Sequence, residues 1–189
     1  MPRLKIVVGG SAKGVGKTSL VCGLIAATPE FAWTAVKIAS HPHNGVDLVL
    51  EDMGVNTDDN RDTYRYLRAG AERAFLVTAE EANVPTRLIW SVLRTAPNIL
   101  IETTRFASEF KPDICIGVLG NSTTPVKESF GSFLPRADAL VARVGQDVRL
   151  DKIPVGIPLF RLAELDQISP EMLAWLLRKS ERRPRGMAR

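Results

Sequence analysis

Near the amino terminus the chain reads Gly9-Gly10-Ser11-Ala12-Lys13-Gly14-Val15-Gly16-Lys17-Thr18-Ser19-Leu20, which combines spaced glycines with a lysine and a hydroxyl. Glycine adopts backbone conformations and close approaches that side chains obstruct, so Gly14 and Gly16 permit a tight loop with converging N–H groups. A helix starting at Lys17 would add the partial positive charge of its first turn. In that arrangement Lys17 reaches the β- and γ-phosphates of a nucleoside triphosphate, and the Thr18 hydroxyl can ligate Mg²⁺. Ser11 to Ser19 is therefore the candidate phosphate-binding segment.

Two details depart from the common pattern. The first glycine of Gly-x-x-x-x-Gly-Lys-Thr is replaced by Ser11, a small residue that still fits a loop held by its later glycines. A dinucleotide-type loop fits worse, because the third glycine position after Gly14 and Gly16 holds Ser19. One variant of the phosphate loop carries an extra lysine for use across a dimer interface. Here that position is Ala12, and Lys13 stands one residue late.

Such a site also requires an acid at the end of a neighbouring core strand, to hold Mg²⁺ directly or through water. Asn98-Ile99-Leu100-Ile101-Glu102 supplies one. Lys17 and Glu102 are thus the candidate catalytic residues, and Thr18, Glu102 and Asp62 the candidate metal ligands. Asp47 and Asp59 compete for the same part. His41-Pro42-His43 lacks further paired ligands, which favours solvent-facing or nucleotide-sensing loop residues over a metal site.

The elements that must position these groups alternate along the chain. Strands are expected over 4–8, 34–39, 46–50, 73–78, 98–102, 114–119 and 139–144, with an edge strand within 153–160 because of Pro154 and Pro158. Helices are expected over 17–27, 58–69 with Gly70 as a left-handed cap, and 83–95, with a final one opening at Ser169-Pro170-Glu171. A short helix or turn should turn Phe130 and Phe133 to the core. This alternation predicts a three-layer α/β/α fold of the P-loop nucleoside triphosphatase kind with a mainly parallel sheet. Residues 1–178 form one nucleotide-binding domain in this reading, followed by a basic, disordered tail over 179–189.

Composition is that of an ordinary globular protein, with 45% hydrophobic and 24% charged residues in 189. The net charge of +4 is misleading, since the ending RKSERRPRGMAR carries six Arg/Lys and one Glu, or +5, leaving about −1 for the rest. Nucleic acid is therefore not an expected partner. Cys22 and Cys115 are isolated and lack metal-ligand spacing. With no apolar leader and no membrane-spanning run, a soluble, unprocessed cytoplasmic protein is expected.

The chain resembles the molybdopterin-guanine dinucleotide biosynthesis accessory proteins, the MobB family. The likeness rests on the phosphate loop, Lys37 with His41, and Arg61-Asp62-Thr63-Tyr64-Arg65-Tyr66-Leu67-Arg68-Ala69-Gly70-Ala71, which is similar to the family's Lys-Asp-Ser/Thr-Tyr…Ala-Gly-Ala. Glu102 and Ile153-Pro154-Val155 extend it. The resemblance implies a homodimer that binds GTP, or ATP, with Mg²⁺ and assists a cofactor-biosynthesis enzyme, with weak hydrolysis of its own. Departures cluster where a substrate would be recognised. Lys37 is followed by Ile38, and Thr103-Thr104-Arg105 replaces the family's Gly-Phe-Lys. A base-reading Asn/Thr-Lys-x-Asp is absent, leaving Gly120-Asn121-Ser122 and Arg143-Val144-Gly145-Gln146-Asp147 as candidates. The alternatives are a small-molecule kinase or ATP-dependent ligase on the same scaffold, and a binding module acting through the basic tail.

Overall fold

The computed structural model describes residues 4–39, 48–55, 57–78, 90, 94–105, 107–148 and 153–181. Strand β1 (Leu4–Gly10) leads through the glycine loop into helix α1 (Lys17–Ala27), and β2 (Trp33–Ala39) follows. After β3 (Leu48–Asp52) come α2 (Asp62–Arg68), β4 (Arg73–Thr78), β5 (Asn98–Glu102) and β6 (Ile114–Val118). The chain continues with α3 (Glu128–Phe133), β7 (Ala139–Arg143), β8 (Leu159–Leu162) and α4 (Pro170–Glu181).

The eight described strands form one sheet in the order β3-β4-β2-β5-β1-β6-β7-β8, parallel throughout except for β3, which pairs antiparallel with β4. Successive side chains of a strand point to opposite faces, so each buried strand feeds two cores. On one face Ile6, Val8, Ala35, Leu100 and Ile116 pack against Leu20, Leu24 and Ile25 of α1, Tyr66 of α2, and Met172 and Leu176 of α4. On the other, Val7, Val36, Ile99, Ile101 and Cys115 meet Phe130 and Phe133 of α3. The expected three layers and mainly parallel sheet are therefore present.

Register sets up the chemistry. Glu102 lies opposite Val8 on one side and Lys37 on the other, and follows Leu100 on the α1 face. The first core face thus ends in an acid and a lysine beside the start of α1.

Several boundaries differ from the sequence pattern. Helix α2 begins at Asp62 rather than 58, because the Asp58 carboxylate accepts the Asn60 N–H (2.9 Å) and folds that stretch into a turn. Its end is as expected. Gly70 has φ 105°, and the Gly70 and Ala71 N–H groups return to the Leu67 and Tyr66 carbonyls. The edge strand β8 starts only after Pro158, since a proline donates no N–H to a ladder. Strand β3 covers Leu48–Asp52, past the expected end at 50, and positions 46 and 47 lie outside the described residues. Lys179, placed in the tail by composition, is helical and pairs with Asp138 at 3.1 Å, because α4 runs to Glu181. The expected helix over 83–95 falls mostly outside the described residues, as does 182–189. Among the described residues no helix is long and apolar enough to cross a membrane, and both cysteines are free thiols.

Helix α1 approaches the backbone before α4 so closely that a Cβ added at Gly23 would sit 2.8 Å from Asp166 main-chain atoms. Gly23→Ala would ordinarily favour a helix by about 1 kcal/mol. Here it should instead destabilise the fold by about 1–3 kcal/mol, read as a lower urea midpoint.

Candidate functional site

The loop between β1 and α1 has two left-handed glycines, Gly14 with φ 74° and Gly16 with φ 95°. Gly16 is the N-cap of α1, and a Cβ there would also lie 2.3 Å from Leu165 Cδ1. Gly16 therefore requires glycine, and the left-handed backbone at Gly14 favours it. Ser11 is buried rather than merely tolerated: its hydroxyl accepts the Gly120 N–H at 2.7 Å, and its own N–H donates to the Val118 carbonyl at 2.9 Å. The residue that breaks the consensus ties the loop to the end of β6. Ala12 is buried beside it, and Lys13 is exposed.

Glu102 is 1% exposed and takes hydrogen bonds at both oxygens. Oε2 accepts from the Thr18 hydroxyl at 2.8 Å and from the Tyr66 hydroxyl. Oε1 accepts from the Lys37 ammonium, with Lys17 Nζ at 4.0 Å. Lys37 also pairs with Asp62 at 2.9 Å, so one lysine joins the strand-end acid to the first residue of α2. Asp62 and Tyr66 are four apart on that helix, which puts both on one face. Arg65 adds a bond to the Ser19 hydroxyl at 3.1 Å.

The expected residues thus gather as follows. Lys17, Thr18 and Glu102 come together, Ser19 is held from α2, and Asp62 reaches the cluster through Lys37. Asp59 is exposed and paired with Arg68 at 2.5 Å, away from the cluster. Asp47, His41 and His43 lie outside the described residues. Among the described residues no group of three or more His, Cys, Asp and Glu side chains gathers as a metal cage. Tyr66 and the double pairing of Lys37 were not singled out for chemistry by sequence reasoning. The four-residue spacing of Asp62 and Tyr66 was the available signal.

Electrostatics follow the geometry. Burial pulls Lys17 below its ordinary value, Glu102 opposes this, and the Lys37 charge adds to the depression. Burial also works against the Lys37 ammonium, but Glu102 and Asp62 outweigh it, and the value rises. Burial and the Glu102 charge push Tyr66 well up, so it remains a hydrogen-bond donor. Burial drives the Cys22 thiol to about 11, which makes it an inert packing residue at neutral pH.

What this cluster can do depends on the proton count of Thr18. Its hydroxyl has one hydrogen and two lone pairs, and the hydrogen is committed to Glu102. The lone pairs suit a hard cation, as does the all-oxygen donor set. Beyond Lys17, between the ends of β2 and β5 and helix α3, opens a cleft of about 700 Å³. On the opposite side of the loop the two candidate base-reading segments meet. Ser122 donates its N–H to the Asp147 carbonyl and its hydroxyl to the Asp147 carboxylate, both at 2.8 Å.

The three-layer fold, with its glycine loop between β1 and α1, is like that of P-loop nucleoside triphosphatase structures. Among solved structures the chain is similar to HypB from Helicobacter pylori, described in complex with nickel, at TM-score 0.62 and 16% identity, covering 98% of this chain and 91% of that one. It is similar to LpxK from Aquifex aeolicus, described in complex with ATP, at TM-score 0.54 and 21% identity, covering 85% of this chain and 54% of that one. A MobB protein homologue from Bacillus stearothermophilus matches at TM-score 0.50 and 18% identity, covering 94% and 98%. No family model matches the sequence, and no curated protein does. At these identities the likeness is one of fold.

Lys37→Met would leave the Glu102 carboxylate buried without its ammonium partner. A loss of about 3 kcal/mol is expected in chemical denaturation, recovered largely in the double variant with Glu102→Gln, so that the two changes are strongly non-additive.

Proposed function

We propose that the chain binds a nucleoside triphosphate with Mg²⁺ on the Ser11–Ser19 loop and serves as a nucleotide-dependent accessory protein with slow hydrolysis of its own. The Thr18–Glu102 hydrogen bond carries the reading, because it commits the Thr18 hydrogen to the acid and leaves the oxygen lone pairs for a cation. Thr18 would be the direct ligand, and Glu102 would orient it and hold a metal-bound water; Asp62 would contribute only through Lys37. When bound, Mg²⁺ neutralises and aligns the β- and γ-phosphate oxygens. The loop N–H groups and Lys17 hold the phosphates, and Gly14 and Gly16 supply the curvature.

Slow hydrolysis follows from the occupancy of Glu102. A carboxylate has about four lone-pair sites. Three are used by Thr18, Tyr66 and Lys37, which leaves Glu102 poorly placed to take a proton from water. A partner is then needed to complete the site. Following the MobB resemblance, GTP is the preferred nucleotide, the active form a homodimer and the partner a cofactor-biosynthesis enzyme. Base contacts would come from Asn121 and the Ser122–Asp147 junction.

A kinase or ATP-dependent ligase is the second reading, favoured by the roomy cleft past Lys17. It requires a phosphorylated or acyl-phosphate product in a metabolite screen; acceptor-independent hydrolysis without such a product removes it.

The decisive measurement is calorimetry of GTP, ATP and their diphosphates with Mg²⁺ on wild type and Lys17→Ala. Loss of at least a hundredfold in triphosphate affinity, about 2.8 kcal/mol, is expected in the variant. Equal binding by both proteins defeats the proposal.

A pH effect should accompany it. Free Lys17 loses its proton below the ordinary 10.5, whereas phosphate oxygens favour the ammonium. Binding in alkaline solution must therefore take up a proton, and affinity should fall as pH rises toward that value. Calorimetry in two buffers of different ionisation heat reads the uptake directly.

A further inference from the structure

We infer that the cleft beyond Lys17 holds a second, small anionic ligand beside the terminal phosphate, gripped by Lys127 with the Ser129 and Ser132 hydroxyls. This rests on the nucleotide reading above, since it places the anion next to an occupied phosphate loop.

The cleft is displaced from the phosphate cradle. Among the described residues it touches the loop through the side chains of Lys13 and Lys17, whereas Gly14, Val15, Gly16 and Thr18 do not line it. Its remaining walls come from the ends of β2 and β5 and from Lys127 to Ser132. A volume of about 700 Å³ falls within the range of small-molecule sites. It therefore offers room past the point where the cradle ends.

Charge decides what would enter. Lys13, Lys17, Lys37, Arg105 and Lys127 line the cleft against two acids, Glu102 and Glu128. Lys37 is already spent on Glu102 and Asp62, and Lys17 is assigned to the phosphates. Lys127 stands on a fixed base, because its N–H donates to the Ser11 carbonyl at 2.8 Å, which anchors it to the loop while its side chain is exposed. Ser129 and Ser132 are three apart on α3 and so share a face. An ammonium with two hydroxyls is a donor set for a carboxylate or phosphate group. A neutral acceptor would gain only ordinary hydrogen bonds from it, and a cationic ligand would be repelled by the ammonium.

The test uses the full chain loaded with Mg²⁺ and a non-hydrolysable triphosphate, so that the phosphate loop is filled. Inorganic phosphate and malonate are then titrated separately by calorimetry, and the better binder tells a phosphoryl ligand from a carboxylate. One of them should bind saturably. Lys127→Ala should weaken it by about tenfold or more, the loss of one charge-assisted contact, with a clearly smaller loss in triphosphate affinity. Ser132→Ala, an exposed position that folding tolerates, should weaken the anion by about threefold and provides an independent variant. Failure to load is seen first, as a missing triphosphate isotherm, and overturns both readings. A loaded protein that takes up neither anion, or one whose anion binding is indifferent to Lys127→Ala and Ser132→Ala, overturns this inference alone.

Discussion

A carboxylate that is 1% exposed at the end of a central strand has to be satisfied from within the protein. Glu102 draws on three elements at once: Thr18 from α1, Lys37 from β2 and Tyr66 from α2. Each partner arrives by a different rule. Sheet register places Lys37, the glycine loop places Thr18, and the pitch of α2 places Tyr66. Displacing any of them would leave part of a buried charge unmet, so the acid fixes how the two helices sit on the sheet.

Helix α2 is short, and its position depends on these polar ties as much as on packing. Asp52, at the end of the antiparallel strand β3, accepts the Thr63 hydroxyl at 2.6 Å and pairs with Arg61 at 3.0 Å. Asp62, Arg65 and Tyr66 then reach inward to Lys37, Ser19 and Glu102. The helix is therefore held from the sheet edge on one side and from the start of α1 on the other. Thr18 of α1 and Tyr66 of α2 thus meet at one carboxylate oxygen.

Much of this was legible in the sequence because it is local. Apolar runs such as Asn98 to Glu102 and the glycines Gly14 and Gly16 announce a buried strand and a tight turn into a helix without knowledge of the neighbours. The place of Glu102 at the end of that strand was legible for the same reason. What could not be read depends on distant partners. Nothing near Ser11 indicates that its hydroxyl will accept the Gly120 N–H, and nothing near Lys37 reveals that register will set it against Glu102. Where side chains compete locally the pattern also misleads, as at Asp58, which makes a turn where helix spacing suggested a helix.

Leu165 packs on Gly16 and the Asp166 main chain on Gly23, so one short stretch before α4 closes over both the cap and the middle of α1. The residues brought together here lie about 140 positions apart, and the entropy of closing so long a loop rises only slowly with its length. The glycine turn therefore shares its stability with the approach to α4, and loosening either stretch would free the other.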